Sequence, residues 1–166
     1  FPKDVNKLLS EDGILLLEHA DLLSIIKLKM FDTICHEHLY YYSTKVIIDI
    51  AFKHNLRVFN LKKNTINGGS TQYFICKKNS KYKNNYKIIN QVLKEEKKFK
   101  LREKKTFINF FNKINDTKDR TIKYLNSIIL KNKKIHGYGA STKGNVLLQY
   151  FNINQNYIKF IADRNP

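Results

Sequence analysis

Hydrophobic positions change their spacing several times along this chain, and each change marks an element boundary. Val5, Leu8 and Leu9 follow Pro2 at helical spacing, and Gly13 sits where a helix C-cap belongs, so a short first helix is predicted. Ile14-Leu15-Leu16-Leu17-Glu18 is then an unbroken apolar run, the pattern of a strand buried on both faces of a parallel sheet. Such a strand needs neighbours and none precedes it, so the chain is expected to begin inside a domain whose earlier strands lie upstream. After a loop, Ser43 or Thr44 can cap a helix that carries Val46, Ile47, Ile50 and Ala51 and ends near Asn55. Residues 56–61 and 71–76 are strand-like and are joined across Asn67-Gly68-Gly69, which predicts an antiparallel hairpin. The order matches the second half of a doubly wound sheet with an antiparallel edge.

Residues 82–130 switch to helical periodicity. Ile89, Val92, Leu93 and Phe99 form one stripe; Phe107, Phe110, Phe111, Ile114, Leu125 and Ile128 form another, with a break expected near Asn115-Asp116. The last segment changes again. A short strand over 133–138, a glycine-rich turn, a helix over 145–151 and a buried strand over 157–162 make a βαβ unit cut off at its second strand.

Composition alters the picture less than it first suggests. The 166 residues hold 31 Lys+Arg against 14 Asp+Glu, a formal net charge of +17. Only 4 of the basic residues are Arg, and 27 Lys, 19 Asn and 20 Ile together form a bias that AT-rich codons alone produce. Nucleic-acid readers rely on Arg for bidentate contacts, so the charge is no specific footprint. It is also localised: residues 77–105 hold 12 basic and 3 acidic side chains, which reads first as a solvated helix face and second as a nucleic-acid or membrane surface. A hydrophobic share of 42% supplies a packed core and excludes a disordered tail. No apolar run approaches the ~18–20 residues of a membrane span, and Phe1-Pro2-Lys3-Asp4 lacks the pattern of a secretory signal. Cys35 and Cys76 are too few for a disulfide framework or a four-thiolate zinc site, so a reducing cytoplasm is the default location.

His36-Glu37-His38 is the densest group of titratable side chains. Two His residues two apart do not match the i, i+4 spacing of a zinc-protease helix, and no third ligand is visible, so no metal is expected. Two readings remain. The residues hydrogen-bond their own loop, or they perform general acid/base chemistry, a His beside a carboxylate being held in one tautomer and poised near neutral pH. The adjacent Tyr40-Tyr41-Tyr42 lines a pocket or packs half-buried. Gly137-x-Gly139-x4-Gly144, after a strand and opening a helix, is an arrangement that cradles phosphate, because glycines admit the anion and the helix N-terminus supplies N–H groups. Asn145 stands where a P-loop needs Lys, and Thr142 occupies the third glycine of a dinucleotide fingerprint, so neither motif is present. Lys143 adds a counter-charge, and a tight αβ turn without a ligand is the plain alternative. Asn67-Gly68-Gly69-Ser70 is a turn, or a place where backbone passes close to a substrate.

Together these strings resemble the nucleotide-sugar C-methyltransferases, which methylate a carbon of keto-deoxysugars attached to a nucleoside diphosphate. The family shows F-D-T-I-Y-H-E-H-L-S-Y-F-S, against Phe31-Asp32-Thr33-Ile34-Cys35-His36-Glu37-His38-Leu39-Tyr40-Tyr41-Tyr42-Ser43 here. It shows H-G-G-S against Asn67-Gly68-Gly69-Ser70, G-Y-G-A-S-A-K-G-N-T-L-L against residues 137–148 with Thr142 and Val146 substituted, and D-R-N-P at 163–166. The resemblance covers almost the whole chain. It implies a three-part enzyme: a zinc-binding N-terminal module, a central Rossmann-like domain holding S-adenosylmethionine, and a C-terminal α/β domain that helps hold the nucleotide sugar. Zinc cysteines and an acidic-glycine cofactor loop are both absent here, so the chain looks like an internal fragment without turnover of its own. The resemblance implies His38 as the base that removes a proton beside a ketone, with Glu37 as its partner or alternative. Positioned donors must stabilise the oxyanion that forms, and Tyr40 is a candidate for one, with Gly68 and Gly69 candidates for contact with substrate. For the diphosphate the resemblance points to Gly137, Tyr138, Gly139, Ser141, Lys143 and Asn145. Cys35, Asn67 and Gln72 depart from the family's Tyr, His and Arg and bear on substrate preference.

The expected fold is therefore α/β: the C-terminal half of a Rossmann-like methyltransferase sheet in residues 1–80, a helical connector in 81–131, and the start of a second Rossmann-like unit in 132–166. Two other classes compete. An NAD-dependent oxidoreductase would place Asp163, 24 residues beyond Gly139, on a ribose, against the wrong glycine pattern. A nucleic-acid-binding module would use the basic helix, against the scarcity of Arg. The expected partner is a nucleotide sugar, with no nucleic acid and no membrane; the oligomeric state is left open.

Overall fold

The computed structural model describes residues 2–164. Phe1, Asn165 and Pro166 lie outside the described residues, and with them the end of the D-R-N-P motif, as does the side chain of Asn67. The chain is mixed α/β and divides into two compact units, Phe1–Leu28 with Tyr40–Thr106, and Lys29–Leu39 with Phe107–Pro166.

The first unit is built on a three-stranded sheet. Helix α1 (Pro2–Leu8) is followed by β1 (Ile14–Ala20), α2 (Leu22–Leu28), α3 (Thr44–Lys53), β2 (Leu56–Asn64), β3 (Ser70–Lys77) and α4 (Tyr86–Lys98). The strand order is β1-β3-β2, and β3 is antiparallel to both neighbours, so β1 and β2 run in the same direction on either side of it. The hairpin predicted from the glycine turn forms, closed by a 3-10 turn at Ile66–Gly68. Its antiparallel member is the middle strand of the three rather than an edge, because β3 pairs back onto β1. A register shift between Val58 and Asn60 moves the buried positions of β2 from Leu56 and Val58 to Leu61. Those three residues pack with Val5, Ile47, Ala51, Tyr73, Ile75, Ile89 and Val92, so α3 and α4 cover one face of the sheet through their apolar stripes.

Three local expectations are corrected. β1 is not enclosed on both faces by parallel neighbours: Ile14 and Leu16 are exposed, Leu16 by 54%, and the paired strand is antiparallel. A run of leucines reads the same whether its alternate members face core or solvent, which is why periodicity could not decide. Residues 22–28, expected as loop, form α2, started by Asp21, whose carboxylate accepts from the backbone N–H (3.1 Å) and hydroxyl (2.7 Å) of Ser24. Gly13 is no helix cap; α1 ends at Leu8, and the Gly13 N–H closes a separate turn onto the Ser10 carbonyl.

The second unit holds a 3-10 turn at Phe31–Thr33, most of the 27-residue helix α5 (Lys104–Leu130), β4 (Gly137–Tyr138), α6 (Thr142–Phe151) and β5 (Ile161–Ala162). Helix α5 is continuous through Asn115-Asp116, where a break was expected. The interruption lies earlier, at Lys100, whose φ of 53° and following Leu101 N–H to Glu96 carbonyl bond (3.4 Å) end α4 in a left-handed cap. β4 and β5 pair in parallel across α6, as a βαβ unit requires, but the ladder is two residues long, shorter than the strands read over 133–138 and 157–162. Tyr138, Phe160 and Ile161 are exposed, so the second strand is not buried. Phe31 stacks on Phe151 (5.3 Å between centroids) and leans on Tyr150, fixing the 3-10 turn to the C-terminal end of α6. The Tyr150 hydroxyl in turn donates to the Asn115 side chain (2.8 Å) and Lys118 sits over its ring, which anchors α6 on α5. Among the described residues no helix is long and apolar enough to cross a membrane.

Candidate functional site

The His36–His38 loop belongs to the second unit. Thr33 is buried, its N–H and hydroxyl both bonded to the Met30 carbonyl (3.3 and 3.0 Å), and the Ile34 N–H closes on the Phe31 carbonyl (2.9 Å). That turn aims the Thr33 carbonyl at Nδ1 of His38, 2.9 Å away, while the His38 N–H is bonded to the Cys35 carbonyl (3.1 Å). A carbonyl can only accept, so Nδ1 carries a proton. The imidazole of His38 is exposed, as are His36 and Glu37. The group at Nδ1 is thus a main-chain oxygen. Among the described residues no cluster of three or more His, Cys, Asp or Glu side chains is placed to hold a metal ion.

The glycine-rich turn lies in the same unit, at the opposite end of α6 from Phe31. Gly139 has φ +92°, and the place where a side chain would stand is open, so the turn leaves unfilled space beside its backbone. Not every N–H of the turn faces that space. Gly139 donates to the Ala162 carbonyl (2.7 Å), Ala140 donates to the Asp163 carboxylate, and Gly137 lies against Ile161 in the strand pair and donates to Phe160. Asp163, the residue a dinucleotide reading would place on a ribose, therefore closes the turn onto β5. Ser141 caps α6, its hydroxyl accepting from the Gly144 N–H (3.2 Å), and the Asn145 N–H bonds the Ser141 carbonyl (3.0 Å). What the turn still offers an anion is the first helical turn at Thr142 and Lys143, with the half-buried Lys143 side chain beside it. Tyr138, Ser141 and Asn145 are exposed.

In the first unit, Gly69 (φ +134°) is buried, and a side chain there would stand 2.7 Å from the Ser24 hydroxyl. Its carbonyl accepts from the Asp21 N–H (3.0 Å). What passes close to the glycine pair is α2, and the turn is locked to the end of β1. Tyr40 is exposed and stacks on Tyr42.

These motifs sit in a chain whose residues 65–166 match the sequence profile of a family described as the C-methyltransferase C-terminal domain. The chain belongs to the C-methyltransferases. It is also 28% identical over 159 residues to the C-methyltransferase NovU of Streptomyces niveus, an alignment that covers 96% of this chain and 38% of that protein.

Three features of the C-methyltransferase chain escaped the sequence reading. Asp21, 1% exposed, accepts from Ser24 and from the Lys63 ammonium (3.1 Å) through Oδ2, tying β1, α2 and β2 together. Glu96, 5% exposed, reaches from α4 to the backbone N–H groups of Thr44 (2.5 Å) and Lys45 (3.1 Å), holding the start of α3. The Thr44 hydroxyl then meets the Tyr73 hydroxyl at 3.1 Å, and burial pushes that phenol up to about 12. A charge falling on the Ile89–Val92 stripe was the available signal for Glu96. Gln72, where the family carries Arg, donates with Asn64 to Glu18 (2.8 Å each), and these two bonds hold the Glu18 carboxyl below its ordinary range.

Proposed function

We propose that this chain is the substrate-activating part of a C-methyltransferase acting on the carbon beside a ketone in a nucleoside-diphosphate keto-deoxysugar. The observation that carries the proposal is the exposed His38 ring, whose orientation is held by the Thr33 carbonyl at Nδ1–H. Nε2 takes the proton from the carbon next to the ketone. The C–H electron pair becomes the enolate C=C bond, and the carbonyl pair moves to oxygen. The enolate carbon is then the nucleophile that a methyl electrophile meets. The Thr33 carbonyl stays bonded to Nδ1–H while the ring becomes cationic, so the base keeps its orientation through the transfer.

The diphosphate is assigned to the first turn of α6, with Lys143 as counter-charge and the open side of Gly139 as its approach. The strand arrangement supports reading the first unit as the C-terminal part of a doubly wound sheet, since β1 and β2 run in the same direction with an antiparallel strand between them. S-adenosylmethionine, the methyl donor that the resemblance implies, finds no donor set among these residues. The buried carboxylate at the end of β1, Asp21, is engaged by Ser24 and Lys63 through Oδ2.

The test uses the full-length protein with a nucleotide keto-sugar and S-adenosylmethionine. The expected product is heavier by one methylene on a carbon next to the ketone, and His38→Ala abolishes it. Full activity in that variant would remove His38 from the mechanism.

A further inference from the structure

The loop that carries His38 is shaped by short-range bonds and given its place by a ring. Thr33 bonds to Met30, Ile34 to Phe31, and His38 to Cys35 and Thr33, so each of these bonds closes a few residues of the loop on itself. Bonds of that range make a turn and leave it free to move as a body. The longer contact comes from Phe31, the first residue of the 3-10 turn. Its ring stacks on Phe151 at 5.3 Å between centroids and 15° between planes, and tilts against Tyr150 at 5.4 Å and 50°. Phe151 is 3% exposed, so the surface that receives Phe31 belongs to a packed interior.

Both receiving rings stand on the last turn of α6. That end is closed by Asn152 in the left-handed conformation, its N–H bonded to the Leu148 and Gln149 carbonyls. Tyr150 is held to α5 through Asn115 and Lys118. A path of contacts within the second unit therefore runs from the two helices to the Phe31 ring. It continues through the Phe31 carbonyl, which takes the Ile34 N–H, to the Thr33 carbonyl, which takes Nδ1–H of His38.

We infer that Phe31 is a positioning residue, and that its stack on Phe151 sets where the His38 imidazole stands when a proton is removed from carbon. The inference rests on the reading of His38 as the base. A general base must stand within hydrogen-bond reach of the proton it takes, and a displacement of about 1 Å lowers a rate on the order of 100-fold. The glycine-rich turn lies at the opposite end of α6, and its closure by Gly139 on Ala162 and by Ala140 on Asp163 does not pass through Phe31. Loss of the stack therefore acts on the rate and spares the hold on the diphosphate.

The experiment uses the full-length protein with thymidine- and uridine-diphosphate keto-deoxysugars, assayed in parallel for methyl transfer and for deuterium exchange beside the ketone. Phe31→Leu keeps the apolar bulk and loses the plane of the ring; Phe31→Tyr keeps the plane. Phe31→Leu is expected to lower the exchange rate and kcat by roughly 10- to 100-fold with KM changed by less than about 2-fold, and Phe31→Tyr to keep the wild-type rate. Phe31→Met carries the same expectation as Phe31→Leu should the latter fail to fold. Nitrogen-15 spectra of histidine-labelled protein, with the His38 signals identified by their absence in His38→Asn, should show Nδ1–H kept in Phe31→Tyr and averaged between tautomers in Phe31→Leu. An unchanged rate in Phe31→Leu, a rise in KM matching the fall in kcat, or a slow Phe31→Tyr would overturn the inference. Should the wild type exchange no proton beside the ketone, the base reading falls and the spectra decide the role of Phe31. A His38 signal altered in Phe31→Leu and kept in Phe31→Tyr leaves Phe31 as the residue that places the ring, and an unaltered signal overturns it.

Discussion

Removing the Glu96 carboxylate is the most informative perturbation of the fold, because one side chain on α4 serves main-chain donors 52 residues away. Its two oxygens take the Thr44 and Lys45 N–H groups, two of the orphan donors at the start of α3, while Ser43 takes that of Val46. Hydrogen bonds to a charged group contribute about 1.5–3 kcal/mol each. The two are not independent: the Lys45 N–H can regain water, whereas Thr44 is fully buried and its N–H cannot. A carboxylate at a helix N-terminus adds about 0.3–2 kcal/mol. Glu96→Ala should therefore cost about 3–4 kcal/mol, and Glu96→Gln, which keeps one acceptor without the charge, about 1–2 kcal/mol. Against a total stability of about 5–15 kcal/mol the first is a large fraction. Urea unfolding followed by far-ultraviolet circular dichroism reads the effect, with tyrosine fluorescence as a second probe in a chain that has no tryptophan. With a slope near 1.5 kcal/mol per molar urea, the Ala variant should lose roughly 2 M in midpoint. A loss under 0.5 M, or an equal loss in Ala and Gln, would refute the claim that a charge holds this helix start.

Further outcomes follow from the same geometry. Gly69→Ala combines a disfavoured φ with a collision against Ser24 and should cost about 2–4 kcal/mol, partly relieved by a second change, Ser24→Ala; urea midpoints of the three variants check it. Tyr73 has a folded-state value near 12, above the ~10 of an unfolded tyrosine, so its contribution is complete below pH 10 and is lost as pH rises toward 12. The difference between wild type and Tyr73→Phe should shrink by about 2–3 kcal/mol over that window, and a constant difference would exclude the buried phenol as its source. Asp163→Ala frees the Ala140 N–H, so amide exchange there should accelerate while that of the α5 interior stays unchanged; equal exchange in both proteins would show that the carboxylate does not close the turn.

Much of the fold was legible where local chemistry is unambiguous. Asn67-Gly68-Gly69 announced the hairpin because few residues accept the two positive φ angles that its glycines adopt, and Ser43 announced α3 because its hydroxyl can replace a missing carbonyl. The misread boundaries lie where an ordinary residue does an unusual task. Lys100 adopts the left-handed cap that glycine or asparagine would have advertised, so the break between helices was sought at Asn115-Asp116, which α5 simply runs through. Helix α2 hid because seven residues give barely two turns of periodicity. The acid/base candidate was visible as a cluster of imidazoles and a carboxylate. The acceptor at Nδ1 was not, because it is a main-chain carbonyl, a group every residue has and only the turn at Phe31–Thr33 aims. Glu96 and Asp21 were hidden in charged or loop-like strings, since burial of a carboxylate depends on donors distant in sequence.

The central claim is that Nε2 of His38 removes a proton from carbon before any methyl group moves. It is tested most directly by incubating the full-length protein with a nucleotide keto-sugar in deuterium oxide without methyl donor and following the proton signal beside the ketone. Wild type is predicted to exchange that position and His38→Asn to leave it protonated at the uncatalysed rate. Exchange at the wild-type rate in His38→Asn would contradict the account.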